Sequence, residues 1–359
     1  MPDPRAIRRI SAKGDAFAVG QAMGRAAATE IRERAFATPE FKALQARWQG
    51  SSYLGQLEAA ARASFPRFVR EIEGIADGAG LDFQSIFMWN CRGDLRLPAD
   101  ATAPELEMAA EGCTTIMIPS AAGAPAVIAH NEDGAAELLG HCFWVDAEPA
   151  EGPAFQSFMY PGMLPGHTLG LNAAGMVQTI NNIRVHDLKP GIPRHIVCRA
   201  VLAANGMDEA LNVLGRTDRA SGFHHNLGSA REGQLCSVEA PASGCHVREI
   251  AAPSAHANHL IETKFAGLAQ EITGSSRDRQ RSADAQVAKN APDDAADAEA
   301  ILFERETPIY RANDNGDDYS QTLCTGVFEL HADRVAWHIH AAPGARDTLS
   351  GTTRVHEGA

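Results

Sequence analysis

Cysteine 113 lies in a sequence context that could make it a catalytic nucleophile. Residues 111–119 are Glu-Gly-Cys-Thr-Thr-Ile-Met-Ile-Pro. The apolar run after the two threonines is short, rich in branched side chains and ends at a proline, which predicts a buried β-strand. Gly112 is expected to allow a strained backbone just before the thiol. The sequence therefore places a thiol between a flexible residue and a buried strand.

Cleavage of the peptide bond before Cys113 would give this residue two catalytic groups. An N-terminal cysteine carries a thiol nucleophile and an α-amine, whose pKa is normally about 7.7–8.0. Such an amine can accept the thiol proton near neutral pH without help from a histidine. The competing interpretation is that Cys113 simply packs in a core, because free cysteine is among the residues most often buried.

Length, composition and charge limit the classes of protein that fit. The chain has 359 residues, of which 45% are hydrophobic, and this is enough for one large domain or two ordinary ones. Its formal net charge of −13 argues against a nucleic-acid partner and against an anionic membrane surface. The sequence has no membrane-length apolar run, and its start does not resemble a signal peptide. Seven scattered cysteines without a C-x-x-C pair favour a reducing cytoplasm over a disulfide scaffold.

The part of the chain before Cys113 is predicted to be mainly helical. Apolar residues at helical spacing predict one or two helices in residues 15–48 and further helices over 54–63, 65–76 and 82–90. Pro66 suits a first helical turn, and Gly78 and Gly80 suit a helix end. Residues 98–111 are small, acidic and contain prolines, which predicts a linker.

After the linker the pattern changes to short strands. Strands are predicted at 114–118, 126–130, 143–146, 155–160, 167–171, 176–182, within 226–239 and at 321–330 and 334–340, and helices at 193–204, 207–214 and within 277–304. Small loops between consecutive strands favour antiparallel pairing. Alternating helical and stranded blocks predict a layered α+β fold.

Several motifs occur together in a characteristic order. They are Asn-Cys-Arg-Gly-Asp at 90–94, Gly-Cys-Thr-Thr at 112–115, His-Asn-Glu-Asp at 130–133, Gly-Leu-Asn-Ala-Ala-Gly at 170–175, His-Ala-Asn-His at 256–259 and Thr-Leu-Cys-Thr-Gly-Val-Phe-Glu at 322–329. In order and spacing they resemble the self-processing penicillin acyltransferase-like hydrolases (isopenicillin N acyltransferase and carcinine hydrolase type), a branch of the N-terminal nucleophile hydrolases. The resemblance covers roughly residues 14–343.

The resemblance implies a fold and an activity. The fold would be a four-layer αββα sandwich with a helical N-terminal segment. The chain would cleave itself between Gly112 and Cys113 into a mainly helical fragment, 1–112, and a nucleophile-bearing fragment, 113–359, which together form one composite domain. Cys113 would then cleave or transfer the acyl group of a small amide through a thioester.

The resemblance also assigns roles to further residues. Asp133 would hold the α-amine or assist the cut, although an aspartate before a glycine is also an ordinary turn residue. Asn258 would donate its amide to an oxyanion, and a loop cap is the alternative. Four residues are expected to bind substrate: Thr114, Arg92, Asn172 and Thr322. A structural role is also open for the first three. The sequence departs from the family pattern at Glu132, where the family often carries an aromatic or other residue.

Two other functions stay open from the sequence alone. Paired histidines at 224–225, 256/259 and 338/340 could belong to a metal hydrolase, but no metal-binding motif accompanies them. The second alternative is that the chain is an uncleaved relative of the family, which binds a small acyl ligand and catalyses no reaction. The preferred hypothesis is the cysteine enzyme without cofactor or metal, acting on a small acyl amide or amine substrate. Its oligomeric state is open, and a homo-oligomer is one alternative.

Overall fold

The computed structural model describes residues 5–95, 112–121, 123–306, 309–312, 320–345 and 348–356. The predicted linker at 98–111 lies outside these ranges. All seven cysteines lie within them, and each is unpaired. In the same ranges no helix combines the length and the apolar character that crossing a bilayer requires.

The helices form an N-terminal group and a later group. They are α1 (Ala16–Ala26), α2 (Ala28–Glu30), α3 (Pro39–Trp48), α4 (Ser52–Ser64), α5 (Pro66–Ala79), α6 (Phe83–Asn90), α7 (Arg194–Leu202), α8 (Met207–Leu214), α9 (Gly274–Asn290) and α10 (Ala295–Leu302). A π-helical turn, Ile31–Ala35, follows α2. Pro66 opens α5 and Gly80 ends it in the left-handed conformation, as predicted. The Asp82 side chain caps α6 by accepting the Ser85 N–H.

The strands form two sheets. They are β1 (Arg8–Gly14), β2 (Gly112–Ile118), β3 (Ala126–Ala135), β4 (Phe143–Pro149), β5 (Phe155–Met159), β6 (Leu169–Asn172), β7 (Met176–Asn182), β8 (Phe223–Ser229), β9 (Gln234–Ala240), β10 (His246–Glu249), β11 (Ser254–His256), β12 (Ser320–His331), β13 (Arg334–His340) and β14 (Leu349–Arg354). The first sheet has the order β1-β4-β5-β6-β7-β8-β9-β10 and the second β11-β2-β3-β12-β13-β14. Only the β1–β4 pairing among these is parallel, so the prediction of a largely antiparallel structure is confirmed.

The elements stack in four layers, α, β, β and α. Helices α1 and α7 contact the first sheet and α5 packs against both of them, whereas α9 and α10 cover the outer face of the second sheet. The two sheets pack against each other through β2, β3 and β7. Trp144 on β4 and Trp337 on β13 meet across the interface with ring centroids 4.8 Å apart. The α+β sandwich expected from the sequence is therefore the observed architecture.

Strand β2 separates two environments by the ordinary alternation of side chains along a strand. Thr115 and Met117 point between the sheets, where Thr115 contacts side chains of β7 and β8. Ile116 and Ile118 point the other way and pack in a separate apolar cluster with α9 and α10. Cys113 shares the face of Thr115, because the two are two residues apart. The thiol therefore points between the sheets.

The sequence missed four strands, β1, β10, β11 and β14. In β1 only Ile10 and Ala12 are buried, whereas Arg8, Arg9 and Lys13 carry charges that mask the alternation. Strand β10 is an edge strand in which each residue keeps some exposure, and β14 alternates in the same weak way. All four are the edge strands of the two sheets, where polar side chains are tolerated and hydrophobic periodicity is faint.

Helices α1 and α5 approach each other through glycines. Gly20 and Gly24 of α1 face the backbone of α5, and Gly74 and Gly78 of α5 face the backbone of α1. A Cβ on Gly20 would overlap the carbonyl oxygen of Glu71. Glu71 in turn forms a buried ion pair with Arg199 of α7, with Nε 3.0 Å from Oε1. The glycine contact therefore fixes the helical layer on the first sheet.

We predict that Gly20→Ala lowers the free energy of unfolding by about 2 kcal/mol or more, because the added methyl group forces the two backbones apart. Gly55→Ala is the matched control. Gly55 lies inside α4, and a Cβ added there would have no neighbouring atom within 4 Å, so alanine should stabilise this helix by up to ~1 kcal/mol. Urea denaturation of both variants measures the difference. Equal stability of the two variants would contradict the close contact.

Candidate active site

The backbone N–H and the backbone carbonyl of Cys113 are both held by polar side chains. The Cys113 backbone N–H donates to Asn258 Oδ1 at 2.8 Å. The Cys113 carbonyl oxygen accepts from the guanidinium of Arg279, which also donates to Asn258 Oδ1 at 2.6 Å. Asn258 Nδ2 donates to the Asn182 carbonyl at 3.0 Å. The backbone around the thiol is thus fixed by one amide and one cation from two distant parts of the chain.

The thiol faces a carboxylate across the β2–β3 pairing. Cys113 is paired with Glu132 in the β2–β3 register. The thiol donates a hydrogen bond to Glu132 Oε2, with Sγ 3.8 Å from that oxygen. His130 Nε2 is 3.1 Å from the same oxygen, and Tyr160 donates its hydroxyl to Oε1 at 2.5 Å. His130 Nδ1 lies 2.8 Å from Thr115 Oγ1. The sequence singled out Glu132 only as a departure from the family pattern and missed His130 and Tyr160.

Burial sets the protonation of this cluster. It raises the pKa of the Cys113 thiol well above its usual value, and the negative charges of Glu132 and Asp133 raise it further. A backbone hydrogen bond from Asn182 and the charge of Arg279 act in the opposite direction. Burial also lowers the pKa of His130 to about 3, so this ring is neutral at neutral pH. With the peptide bond before Cys113 intact, the thiol is therefore protonated.

Arg279 of α9 is the main residue that sequence reasoning did not find. Its side chain is 1% exposed and bonds Cys113 O, Thr114 Oγ1 and Asn258 Oδ1. Burial lowers its pKa to about 10, an effect that Asp133 opposes, so it stays charged at neutral pH. The sequence offers no signal for it, since Arg277 and Arg281 lie on the same helix and only packing distinguishes them.

Gly112 is the first residue of β2 and lies opposite Asp133. The strained backbone expected at Gly112 stays a prediction. A Cβ on Gly112 would lie 2.8 Å from Arg279 Nη2 and 3.3 Å from Arg311 Nη1. The absence of a side chain leaves room for two guanidinium groups beside the predicted cleavage site.

Asp133 and Thr322 form a pair beside Gly112. Thr322 Oγ1 donates to Asp133 Oδ1 at 2.7 Å and accepts the Arg311 N–H at 2.9 Å. Strand β12 shifts register between Thr322 and Cys324, directly at this contact. Thr322 therefore orients Asp133, and the roles predicted for both residues, in catalysis and in substrate binding, stay predictions.

The other predicted residues lie at different distances from the thiol. Thr114 faces α9, on the opposite side of β2 from the thiol, and bonds Arg279 at 3.0 Å. Arg92 is buried over the rings of Trp89 and Tyr160, so it is connected to the Glu132 cluster through Tyr160.

Asn172 is not brought together with Cys113. It lies at the turn between β6 and β7, where its amide donates to the carbonyls of Leu202 and Ala204 and its Oδ1 accepts the N–H groups of Ala174 and Met176. The site contacts the far end of β7 instead, through Asn181 and Asn182. Asn258 does contact Cys113, but through its oxygen, because its amide nitrogen is used on a backbone carbonyl.

The histidine pairs form hydrogen bonds and ring contacts. His224 and His256 stack with centroids 3.3 Å apart, and His340 bonds Glu299 at 3.1 Å. In the described ranges, two groups of ligand-type side chains lie close enough to surround an ion, and neither contains these pairs: Cys113/His130/Glu132, and the exposed Asp293/Asp294/Asp297. In the first group each side chain already has a hydrogen-bond partner within the group, so we interpret it as a hydrogen-bonded network.

Comparisons with known proteins agree with the motifs. The family model described as acyl-coenzyme A:6-aminopenicillanic acid acyl-transferase matches residues 121–344, which include Asp133, Asn258 and Arg279 and begin after Cys113. A β-alanyl-dopamine/carcinine hydrolase of Drosophila melanogaster is 28% identical over 94% of this chain and 93% of that protein. The acyl-coenzyme A:6-aminopenicillanic-acid-acyltransferase 40 kDa form of Emericella nidulans is 26% identical over 91% and 90%.

Among solved structures, a mutant of conjugated bile acid hydrolase from Clostridium perfringens aligns with this chain. The TM-score is 0.42 and the sequence identity is 11%, over 68% of this chain and 97% of that chain.

We predict that Arg279→Gln lowers the free energy of unfolding by about 3 kcal/mol, because the loss of a buried cation leaves its hydrogen-bond partners and the nearby Asp133 without compensation. Arg281→Gln is the matched control on the same helix, since Arg281 is exposed and pairs with the half-exposed Asp278; it should change stability by less than ~0.5 kcal/mol. Urea denaturation tests both. Similar effects of the two substitutions would show that Arg279 does not organise the site.

Proposed function

The chain belongs to the acyl-coenzyme A:6-aminopenicillanic acid acyl-transferase family, and on that premise we propose that it is a self-cleaving cysteine amidohydrolase or acyltransferase. The nucleophile is Cys113, and the cut falls between Gly112 and Cys113. The observation that carries the proposal is the geometry around Cys113, whose nitrogen and thiol each have their own hydrogen-bonded partner, Asn258 and Glu132.

The same thiol serves two successive reactions in this proposal. In the first, Sγ attacks the Gly112 carbonyl carbon, the peptide nitrogen leaves as a new α-amine, and water hydrolyses the resulting thioester. In the second, the thiol attacks the carbonyl of a small amide, with the α-amine accepting and returning the proton. The thioester then passes its acyl group to water or to an amine, which is the difference between hydrolysis and acyl transfer.

Residues around Cys113 have defined tasks in this proposal. Asn258 accepts from the Cys113 nitrogen before the cut and orients the α-amine after it. Asp133, held by Thr322, provides a negative charge beside that amine. Arg279 fixes the Cys113 carbonyl and supplies positive charge next to the Asp133 carboxylate of β3.

The two fragments stay together after the cut in this proposal, as one composite domain. Residues 1–112 contribute β1 to the first sheet and the helical layer outside it, and their apolar side chains belong to the same core cluster as those of β4 to β9. Burial on this scale stabilises an assembly even when one peptide bond is missing. A cytoplasmic location also stays a prediction, supported by the unpaired cysteines.

The substrate class proposed is a small N-acyl amide. The support comes from the relatives, one of which is a hydrolase of β-alanyl-dopamine and carcinine by its name, and the other an acyltransferase. The first assay therefore offers β-alanyl-dopamine and carcinine for hydrolysis, and 6-aminopenicillanic acid with an acyl-coenzyme A for transfer. The net charge of −13 favours amine-bearing substrates by long-range attraction.

We predict that intact-mass analysis of the purified wild-type protein shows fragments 1–112 and 113–359, and that Cys113→Ala stays whole and inactive because it lacks the only proposed nucleophile. Cys245→Ala is the matched control, since Cys245 is a partly exposed thiol between β9 and β10; it should split and turn over substrate like the wild type. A wild-type chain that stays whole while fully active would overturn the proposal.

The metal-hydrolase alternative makes the opposite prediction. Its activity would disappear with a chelator and would survive Cys113→Ala. We predict instead that overnight dialysis against EDTA leaves turnover within about twofold of the untreated enzyme, because the thiol and the α-amine carry out turnover in this proposal without a metal. Loss of activity that returns on adding Zn²⁺ would select the metal enzyme. A ligand-induced rise in melting temperature without turnover or cleavage would select a binding protein.

A further inference from the structure

The α-amine cannot act as a base for the first cut. While the peptide bond before Cys113 is intact, its nitrogen is an amide whose lone pair is delocalised into the carbonyl. In the structure this N–H donates to Asn258 Oδ1 at 2.8 Å. The thiol itself is protonated, because burial and two nearby carboxylates raise its pKa. Self-cleavage therefore needs a proton acceptor that exists before the N-terminus does.

Glu132 is the carboxylate in contact with the thiol. Its Oε2 lies 3.8 Å from Sγ, within reach of a hydrogen bond to sulfur. Asp133, the next residue along β3, points to the opposite face of the strand, where Thr322 bonds it. His130 contacts Glu132 and Thr115, and its pKa of about 3 makes it a poor base. Arg279 carries a positive charge and has no basic site.

The surroundings of Glu132 hold it in place for proton transfer. Tyr160 donates to Oε1 at 2.5 Å, which leaves Oε2 for the thiol and His130. His130 lies between Glu132 and Thr115, with Nε2 3.1 Å from Oε2 and Nδ1 2.8 Å from Thr115 Oγ1. Glu132 is 5% exposed, so water competes little for its oxygens. The carboxylate is thus ordered before the reaction begins.

We propose that Glu132 is the general base of self-cleavage, a role confined to the intact chain. This inference rests on the proposed function, because it concerns how that function is switched on. The Cys113 S–H proton moves to Glu132 Oε2 as the sulfur electron pair forms a bond to the Gly112 carbonyl carbon. The tetrahedral intermediate collapses, the carbon–nitrogen bond breaks, and the proton returns from Glu132 to the leaving nitrogen, which becomes the α-amine. Water then hydrolyses the thioester and regenerates the thiol.

Glu132 is the base in self-cleavage, and the α-amine is the base in turnover. Once the α-amine exists, it is part of the same residue as the thiol and takes over proton transfer during turnover. Substitution of Glu132 should therefore slow self-cleavage much more than it slows substrate turnover per cleaved molecule. A residue that only supports the fold would impair both steps together.

The test follows the splitting of newly made full-length chain by gel and intact mass in a cell-free translation reaction. Glu132→Gln keeps the size of the side chain but cannot accept the proton. We expect its first-order splitting rate to fall about 100-fold or more, the usual contribution of a general base. Glu132→Asp should retain an intermediate rate. Cys113→Ala, which also stays whole, is the reference for stability, and Glu132→Gln should melt within a few degrees of it.

The pH profile separates a base from a structural residue. Other titratable or charged groups around the Glu132 carboxylate are Cys113, His130, Asp133, Cys142, Tyr160, Cys324, Arg92 and Arg279. The wild-type rate should rise as Glu132 loses its proton and then level off below the range in which the thiol ionises. The Glu132→Gln rate should lack this plateau and rise only at alkaline pH, with thiol ionisation. Glu132→Ala should be accelerated by added formate, which can replace the missing carboxylate.

Each result has one interpretation. A Glu132→Gln chain that splits within threefold of the wild-type rate overturns the assignment. So does a slow variant that keeps the wild-type pH profile and does not respond to formate in its alanine form. If the wild-type chain itself never splits, self-cleavage fails as a function, and that failure is seen without any Glu132 variant.

Discussion

The register between β2 and β3 is the constraint on which the site depends. It places Cys113 opposite Glu132 and Gly112 opposite Asp133, so the thiol and the peptide bond before it each face a carboxylate-bearing residue of the neighbouring strand. A slip of one residue would turn the thiol toward α9 and place Thr114 between the sheets. The apolar residues later in β2, Ile116 and Ile118, oppose such a slip because they fill the cluster under α9 and α10. The same strand thus fixes both a core and a reactive bond.

The remaining parts of the site come from elements distant in sequence. Asn182 ends β7 in the first sheet, Asn258 follows β11 in the second, and Arg279 lies on the helix that covers the second sheet. They meet at Cys113 only because the two sheets are stacked with β7 beside β2. The glycine contact between α1 and α5 holds the outer layer on the first sheet. The site is therefore a property of the complete sandwich, to which the residues before Cys113 contribute a strand and a helical layer.

Local signals in the sequence identified the elements whose own residues determine them. The branched run after Cys113 predicted β2, and Pro66 and Gly80 predicted the limits of α5. The short loop between the strands predicted at 321–330 and 334–340 predicted the antiparallel β12–β13 pair, and the structure contains all three features. Strand β1 escaped detection because its partner, β4, lies more than a hundred residues away and its charged side chains obscure the alternation. The family resemblance supplied the four-layer arrangement of helices and sheets, which periodicity alone does not contain.

The sequence predicted some residues of the site and missed others, because only some of them occur in local motifs. Cys113, Asp133, Thr322 and Asn258 occur in recognisable motifs, and the structure brings them together. Asn172 occurs in an equally recognisable motif, yet its hydrogen bonds hold a turn at the other end of β7. Arg279 has no motif at all, and its importance comes from burial beside Cys113.

The most direct test of the central claim is N-terminal sequencing of freshly purified, catalytically active protein. The account predicts two sequences in equal amounts, one from the start of the chain and one that opens Cys-Thr-Thr-Ile, from residues 113–116. Active material that yields only the first sequence would contradict it, because Cys113 would then have no α-amine and could not act in turnover as described.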